Sequence, residues 1–233
     1  MKIRGLRFFF LAIACLSMFL PLTMAQSSAG SSNSSNAAAP PANPQPTPAY
    51  TRPSEKVKFR NYLFDAFGPY PLVGAAAIAG INQADNSPPE WGQGGEAYAK
   101  RFGSNFGIAA ISTSTRYGLA EVFRLDTLYY PCECKGFGPR LGHALISTLT
   151  ARSGDDGHTV FSVPALVAPY AGTLVGVYGW YPDRYNGKDA FRMGNYLMLG
   201  YAGVNVAMEF IFSGPHSLAS RMHIPSPHKS PTQ

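Results

Sequence analysis

The chain has 233 residues, of which 45% are apolar, 13% aromatic and 14% charged. This length and apolar content suffice for one domain with its own core, whereas the low charge excludes a coiled coil and the aromatic content argues against a wholly disordered chain. With only three cysteines, the chain is not a small fold held together by a disulfide framework.

The first 25 residues have the three parts of a secretory signal. A basic start with Lys2, Arg4 and Arg7 precedes an apolar run over 8–22, and small residues end at Ala25. We therefore predict a signal peptide over 1–25. Two alternatives remain open: an uncleaved anchor, for which the apolar run is short, and a lipoprotein acylated at Cys15.

Loss of this segment changes the charge of the chain. The whole sequence has 19 Lys and Arg against 13 Asp and Glu, a net charge of +6. The segment 1–25 contains three of the basic residues and no acidic residue, so 16 against 13 remain and the net charge falls to +3. The remaining sequence has no basic stripe, and we predict no nucleic-acid partner.

Two segments have the composition of disordered chain. Residues 26–54 are rich in Ser, Asn, Ala and Pro and carry no charge before Arg52, which predicts a disordered linker. Residues 214–233 form a Pro-rich tail whose three histidines lack a rigid scaffold, so we predict a disordered tail rather than a metal site. The folded domain is predicted over 55–213.

Apolar spacing and chain-breaking residues predict an all-α domain, a compact bundle of five or six Gly- and Ala-rich helices. The predicted helices span 55–67, 71–83, 94–124, 140–152, 164–181 and 188–212. A short strand over 159–163 would have no evident partner. In an alternative interpretation, the Gly-rich segment 173–181 is β-structure.

Small residues recur at helical spacing in the third predicted helix. They are Gly103, Gly107, Ala110, Ser114 and Gly118. Because a glycine inside a helix costs about 1 kcal/mol relative to alanine, this stripe predicts close packing against a neighbouring helix. The fifth and sixth predicted helices carry similar series of small residues.

Three stretches without charged side chains approach the length of a membrane span. They cover 66–84, 160–181 and 193–208. Prolines interrupt the first two, and Glu209 closes the third. We favour buried helices of a water-soluble or membrane-associated bundle, and an integral membrane protein is the alternative.

The segment 91–103, with the sequence WGQGGEAYAKRFG, resembles the motif W-x-Q-G-x-x-G-Y-x-K-R-[FY]-G. This motif is typical of an uncharacterised family of exported acidobacterial-type proteins. The resemblance covers about 85–185 and implies export without implying a particular chemistry. Cys132-Glu133-Cys134 departs from the family pattern.

Glu90 and Glu96 are candidate catalytic residues beside Trp91, because either carboxylate could be a general base in a cleft. In the simpler interpretation, Glu96 is a surface residue that pairs with Lys100 at i,i+4 and favours the helix N-terminus.

His143 and His158 are further candidate catalytic residues, in a group with Arg140, Asp155 and Asp156. Imidazoles and carboxylates could also bind a metal, but no metal-binding spacing is present, and we predict no metal site. Phosphate-loop, dinucleotide-binding and G-x-S-x-G motifs are also missing from the sequence, and no cofactor is predicted.

Cys132 and Cys134 are the cysteines that remain after signal removal, and an oxidising compartment favours a disulfide between them. A redox or metal-binding pair is the alternative.

Together these features predict an exported protein of the periplasm or cell envelope, a structural or adaptor bundle whose partner is the membrane or another envelope component. The alternative is an envelope hydrolase that uses Glu90, Glu96, His143 and His158. An enzyme would bring these side chains to one pocket, whereas a structural bundle would scatter them.

Overall fold

The computed structural model describes residues 50–212. The predicted signal peptide, the predicted linker up to residue 49 and the predicted C-terminal tail lie outside these residues. Helices account for most of the described part, which confirms the predicted all-α bundle. They are α1 (Glu55–Phe67), α2 (Pro69–Ala84), α3 (Gly95–Val122), α4 (Phe137–Ile146), α5 (Val163–Gly179) and α6 (Gly187–Ala207).

Local sequence explains where several of these helices begin. Gly68 alone separates α1 from α2, and prolines 69 and 71 fit the first turn of α2 because the first backbone amides of a helix need no intrahelical acceptor. The Ser162 hydroxyl caps α5 by accepting a bond from the Ala165 amide. Asn186 and Asp189 form a capping box at the start of α6.

The four long helical segments pack in chain order with alternating direction. α1 and α2 together run antiparallel to α3, which packs against α5, and α5 packs against α6. The bundle therefore has two ends. The loop end contains the connections 85–94 and 180–186, where Arg184 pairs with Glu90 at 2.6 Å. At the opposite end, Lys58 of α1 pairs with Glu121 of α3 at 2.7 Å.

A small antiparallel sheet and α4 occupy this opposite end, which we call the sheet end. The strands β1 (Leu125–Asp126), β2 (Thr150–Ser153) and β3 (Thr159–Phe161) lie in that order. The prediction of a helix over 140–152 was therefore wrong at its C-terminal part, because α4 ends at Ile146 and 150–153 is a strand. A turn that contains Gly157, whose φ is +76°, leads from β2 to β3. β2 is therefore the pairing partner of β3 that the sequence analysis did not identify.

The predicted small-residue stripe on α3 is displaced from the face that packs. Gly103 and Gly118 face open space, and an added Cβ at Gly107 would only touch the Trp180 ring at 3.5 Å. The buried face of α3 is instead offset from the glycines and contains Ala97, Arg101, Ser104, Ile108 and Ser112. On α5 the prediction of close packing holds, because Gly172 and Gly176 lie directly against Ile108 and Ser112. The alternative β-structure over 173–181 is wrong, since α5 extends to Gly179.

The interior of the bundle consists mainly of small side chains. The buried residues of the helices include Ala75, Ala79, Ala97, Ser112, Ala168, Gly172, Thr173, Gly176, Ala190 and Gly194. Among the described residues, the largest fully buried side chains are not aliphatic or aromatic: the first three are Arg101, Glu209 and Thr173. Helix backbones therefore approach closely, and large apolar side chains lie elsewhere.

Candidate functional site

Glu90 and Glu96 lie near each other in the sequence but have different partners. Glu90 is exposed in the short 3-10 turn Pro89–Trp91 and pairs with Arg184 of the loop before α6. Glu96 is exposed in the first turn of α3 and pairs with Lys100 at 2.7 Å. No described contact joins the two carboxylates, and Glu96 makes the i,i+4 pair expected of a surface residue.

His143 and His158 lie on different elements. His158 precedes β3 and bonds through Nδ1 to Asp156 on the exposed turn of the hairpin. His143 lies on α4, where its ring packs against the Tyr129 ring, and its Nδ1 is 3.9 Å from the Glu209 carboxylate. None of the described contacts connects His143, His158 and the two glutamates, so their catalytic role stays a prediction without a shared pocket to support it.

Two cavities are found elsewhere in the bundle. A small one of about 50 Å³ lies between α3, α5 and α6, beside Arg116 and Tyr201. An open groove of about 310 Å³ lies between α1 and α3 and is lined by Phe59, Tyr62 and Tyr117 with charged residues at one end. Neither is lined by Glu90, Glu96, His143 or His158.

A polar cluster that the sequence analysis missed lies around Glu209 at the sheet end. The Glu209 side chain is fully buried in the single π-turn that follows α6. Arg140 donates from Nε to its carboxylate at 2.9 Å and also bonds its backbone carbonyl. The Tyr129 hydroxyl donates to the same carboxylate at 2.7 Å, and the Cys132 amide does so at 3.1 Å. Sequence analysis used Glu209 only as the end of an apolar stretch, because its partners are about 70 to 80 residues away.

These contacts keep Glu209 charged. Burial raises the pKa of a carboxyl group, but the hydrogen bonds from Arg140, Tyr129 and the Cys132 amide outweigh it, and the net pKa of Glu209 is below its usual value. Burial and the neighbouring carboxylate together raise the pKa of the Tyr129 hydroxyl, which remains a hydrogen-bond donor. The cluster is thus a buried ion pair that attaches α4 and the loop after β1 to the end of α6.

A second buried carboxylate, Asp126 of β1, has a similar role. The hydroxyls of Tyr50 and Tyr130 donate to it, the first at 2.9 Å, and the Leu128 amide caps its other oxygen. The Arg152 guanidinium lies 3.9 Å from the centre of the Tyr130 ring. Asp126 therefore joins the segment before α1 to the sheet.

Cys132 and Cys134 lie on the loop between β1 and α4 and are joined by a disulfide. Their Cα atoms are 5.1 Å apart. Cys134 is exposed, whereas Cys132 is half-buried next to the Glu209 cluster.

The residues of the motif over 91–103 organise the loop end. Arg101 is fully buried and donates to the carbonyl oxygens of Ser87, Pro88 and Gly92 at 2.9 to 3.0 Å. The Gln93 amide bonds the Gln83 carbonyl and the Asn86 side chain. These contacts fold the connection between α2 and α3, so Arg101 and Gln93 have a structural role in this segment.

The outer surface of the bundle carries many large apolar side chains. Large apolar side chains project from α2, α5 and α6, each at least 38% exposed: Leu72, Val73, Ile78, Leu166, Val167, Val175, Phe191, Leu199 and Val204. Among the described residues, one helix is long and apolar enough to cross a membrane, the continuous stretch Glu55–Ala84 formed by α1 and α2. Only 17% of its apolar window is buried, so the protein itself does not cover this helix as it would a core helix.

Each of the four long helical segments has a stretch without charged residues. These stretches cover 66–84, 102–115, 163–179 and 193–208. At a rise of about 1.5 Å per residue, they are about 21 to 28 Å long. The stretches are offset along the bundle: the Tyr98 hydroxyl bonds the Ala76 carbonyl, so the first lies beside the loop-end half of α3, whereas Gly194 packs on Tyr170 and Gly172 on Ser112, so the last extends along the sheet-end part of α3.

No protein-family model, curated protein or solved structure matches this chain. Its function has to be inferred from its own geometry.

Proposed function

We propose that this protein is an exported helical bundle embedded in a membrane of the cell envelope, where it is a structural or adaptor component. The observation that carries the proposal is the distribution of side-chain size. In water, burial of apolar surface contributes about 25 cal/mol per Å², so a soluble bundle hides its large apolar side chains. In lipid this driving force between helices is missing, and small residues allow close backbone packing. In this bundle small side chains lie inside and many large apolar side chains lie outside, which is the arrangement expected of helices packed in lipid.

The uncharged stretches agree with the same proposal. A bilayer has a hydrocarbon core about 30 Å thick, and each stretch is slightly shorter than this thickness. Differences in length and the offset between the stretches are accommodated by local thinning of the bilayer or by Lys and Arg side chains that reach the interface. The charged sheet end and loop end would then lie in the two headgroup regions.

The resemblance of segment 91–103 to exported acidobacterial-type proteins agrees with this proposal. Since Arg101 and Gln93 fold the loop end, we propose that the motif specifies a bundle architecture rather than a reaction. The hydrolase alternative has less support, because Glu90, Glu96 and His158 are surface residues with separate partners.

The proposal is tested by thiol labelling of the full chain in its native membranes. Val175 is exposed on α5 beside Gly176, which packs on Ile108 near the middle of α3, whereas Val122 is exposed at the charged sheet end. We expect a Val175→Cys variant to resist a water-soluble maleimide until detergent is added, because hydrocarbon excludes the reagent. The matched Val122→Cys variant reacts without detergent when the sheet end faces the reagent, and the unsubstituted chain gives the background.

Equal labelling of Val175→Cys with and without detergent, in membranes opened to expose both faces, contradicts membrane insertion. The labelling reports on the bundle itself. It therefore distinguishes a bundle embedded in the membrane from a soluble bundle that is attached to the membrane only by an uncleaved signal segment. Recovery of the mature chain in the soluble envelope fraction would contradict the proposal independently.

A further inference from the structure

The two cysteines of the disulfide differ in exposure. Cys134 is exposed, whereas Cys132 is half-buried and its amide is held by the Glu209 carboxylate at 3.1 Å. A thiolate that opens a disulfide must reach one of the two sulfur atoms, and access influences which one it attacks. We therefore expect attack on the sulfur of the more exposed residue, Cys134.

The backbone is also placed to receive the sulfur that leaves. The Cys134 amide donates to the Cys132 sulfur at 3.2 Å. A hydrogen bond to sulfur stabilises its charged form, and a more stable thiolate leaves faster in disulfide exchange. The expected point of attack is thus the sulfur of Cys134, whereas the sulfur that leaves, with a hydrogen bond to stabilise it, is that of Cys132.

We propose that the Cys132–Cys134 disulfide is a thiol–disulfide exchange site whose substrates are exposed dithiols of other proteins. A substrate thiolate attacks the Cys134 sulfur, a substrate–Cys134 disulfide forms, the Cys132–Cys134 bond breaks, and the Cys132 thiolate takes a proton from solvent. The second substrate thiol, as its thiolate, then attacks the substrate sulfur and releases Cys134. The substrate loses two electrons and two protons and becomes a disulfide, while the cysteine pair becomes a dithiol. Exchange with a second, more oxidising disulfide restores the starting state.

The Glu209 cluster gives this loop a fixed base. Glu209 and Arg140 are held together by an ion pair at 2.9 Å, so the Cys132 amide stays anchored on the end of α6 when the sulfur bond opens. Glu209 is in this respect a positioning residue. The exchange site does not depend on whether the bundle lies in lipid.

Two measurements on the oxidised full chain test the proposal. In the first, the chain is mixed with reduced glutathione, quenched with acid, and the adduct is located by peptide mass spectrometry. We expect most of the mixed disulfide on Cys134. In the second, reduced and unfolded ribonuclease is the dithiol probe, with glutathione disulfide as the final oxidant. We expect the chain to accelerate ribonuclease thiol loss, and both Cys132→Ser and Cys134→Ser to lose the acceleration.

An adduct found mainly on Cys132 overturns the assigned direction of attack. A rate of ribonuclease oxidation that is the same with the chain as without it overturns the activity. The adduct measurement uses the unsubstituted chain, so a serine variant that fails to fold does not prevent a decision.

Discussion

The Arg101 side chain forms hydrogen bonds with several segments of the loop end. It is fully buried on α3 and donates to three backbone carbonyl groups and to the Gln83 side chain. Its truncation would leave several buried acceptors without donors, each of which costs about 1–3 kcal/mol. Buried charges with this many bonds are rarely replaceable, because a lysine lacks the flat set of five donors.

We therefore expect Arg101→Ala to lower the free energy of unfolding by about 3 kcal/mol or more, measured as a clear decrease in Tm. The neighbouring Lys100→Ala is the control, since it removes only an exposed i,i+4 pair and is expected to change Tm little. A similar, small decrease in both variants would contradict the structural role assigned to Arg101.

Glu209 gives the protein a defined sensitivity to acid. Its pKa in the folded chain is below the ordinary value of 4.5, because Arg140, Tyr129 and the Cys132 amide favour the carboxylate. A lowered folded-state pKa contributes stability that is complete above pH 4.5 and is lost as the pH falls through the folded-state pKa.

Thermal unfolding between pH 7 and pH 3 checks this expectation. We expect Glu209→Gln to be less stable than the unsubstituted chain at pH 7, and the difference in Tm to narrow below pH 4.5. The surface substitution Glu96→Gln provides the comparison and should change the curve less. A Tm difference for Glu209→Gln that is constant over the whole range would show that its charge does not stabilise the fold.

Among the helices, α5 makes the closest packing contact. An added Cβ at Gly172 would meet the Ser112 side chain and lie 2.5 Å from the Ile108 carbonyl oxygen of α3. Backbone cannot move aside as a flexible side chain can, so the two helices would have to separate. Gly103 on α3 has nothing within 4 Å of the same added atom.

The same substitution should therefore affect the stability of the protein differently at the two glycines. We expect Gly172→Ala to destabilise the protein by about 1–3 kcal/mol through overpacking. Gly103→Ala should leave stability unchanged or raise it by up to about 1 kcal/mol, because alanine favours the helix. Chemical denaturation of both variants provides the measurement, and stabilisation by Gly172→Ala would refute the described packing of α3 on α5.

Sequence alone predicted the helices well because Pro, Gly and the Asp-Asn-Ser-Pro-Pro segment mark their ends strongly. It did not predict the face on which α3 packs, since polar Ser104, Ser112 and Arg101 are buried there while glycines face outward. The strand over 150–153 also escaped prediction, because it depends on pairing with β1 and β3. The paired residues Asp126 and Arg152 are 26 positions apart in the sequence, and Ala151 and Val160 are 9 positions apart. The Glu209 cluster depends on contacts of still longer range.

At the scale of the whole molecule, the outer surface is the feature with the largest consequence. A lysine at an exposed position of a soluble helix usually changes stability by less than about 0.5 kcal/mol. The same lysine in the middle of a bilayer costs about 2.5–3.5 kcal/mol on the insertion scale. Val175 and Val122 are both exposed and apolar, but only Val175 lies in an uncharged stretch near the middle of the bundle, next to the contact of Gly176 with Ile108.

We expect Val175→Lys to reduce the amount of folded protein recovered from membranes, and Val122→Lys to leave it nearly unchanged. Quantitative recovery from the membrane fraction, followed by thermal unfolding in detergent, separates failed insertion from failed folding. Equal recovery of the two variants would indicate that the middle of the bundle does not face lipid.

The described chain begins and ends at the sheet end. The Tyr50 hydroxyl is bonded to Asp126, and Glu209 is bonded to Tyr129, three residues further along the same loop. The first and last described residues, the sheet and the cysteine loop therefore lie on one side of the bundle, and among the described residues the other side has two short connections. If the bundle spans a bilayer, residues 50–212 are accessible mostly from a single compartment, and a protease or partner in the opposite compartment would meet, of these residues, mainly the turns around Glu90 and Arg184.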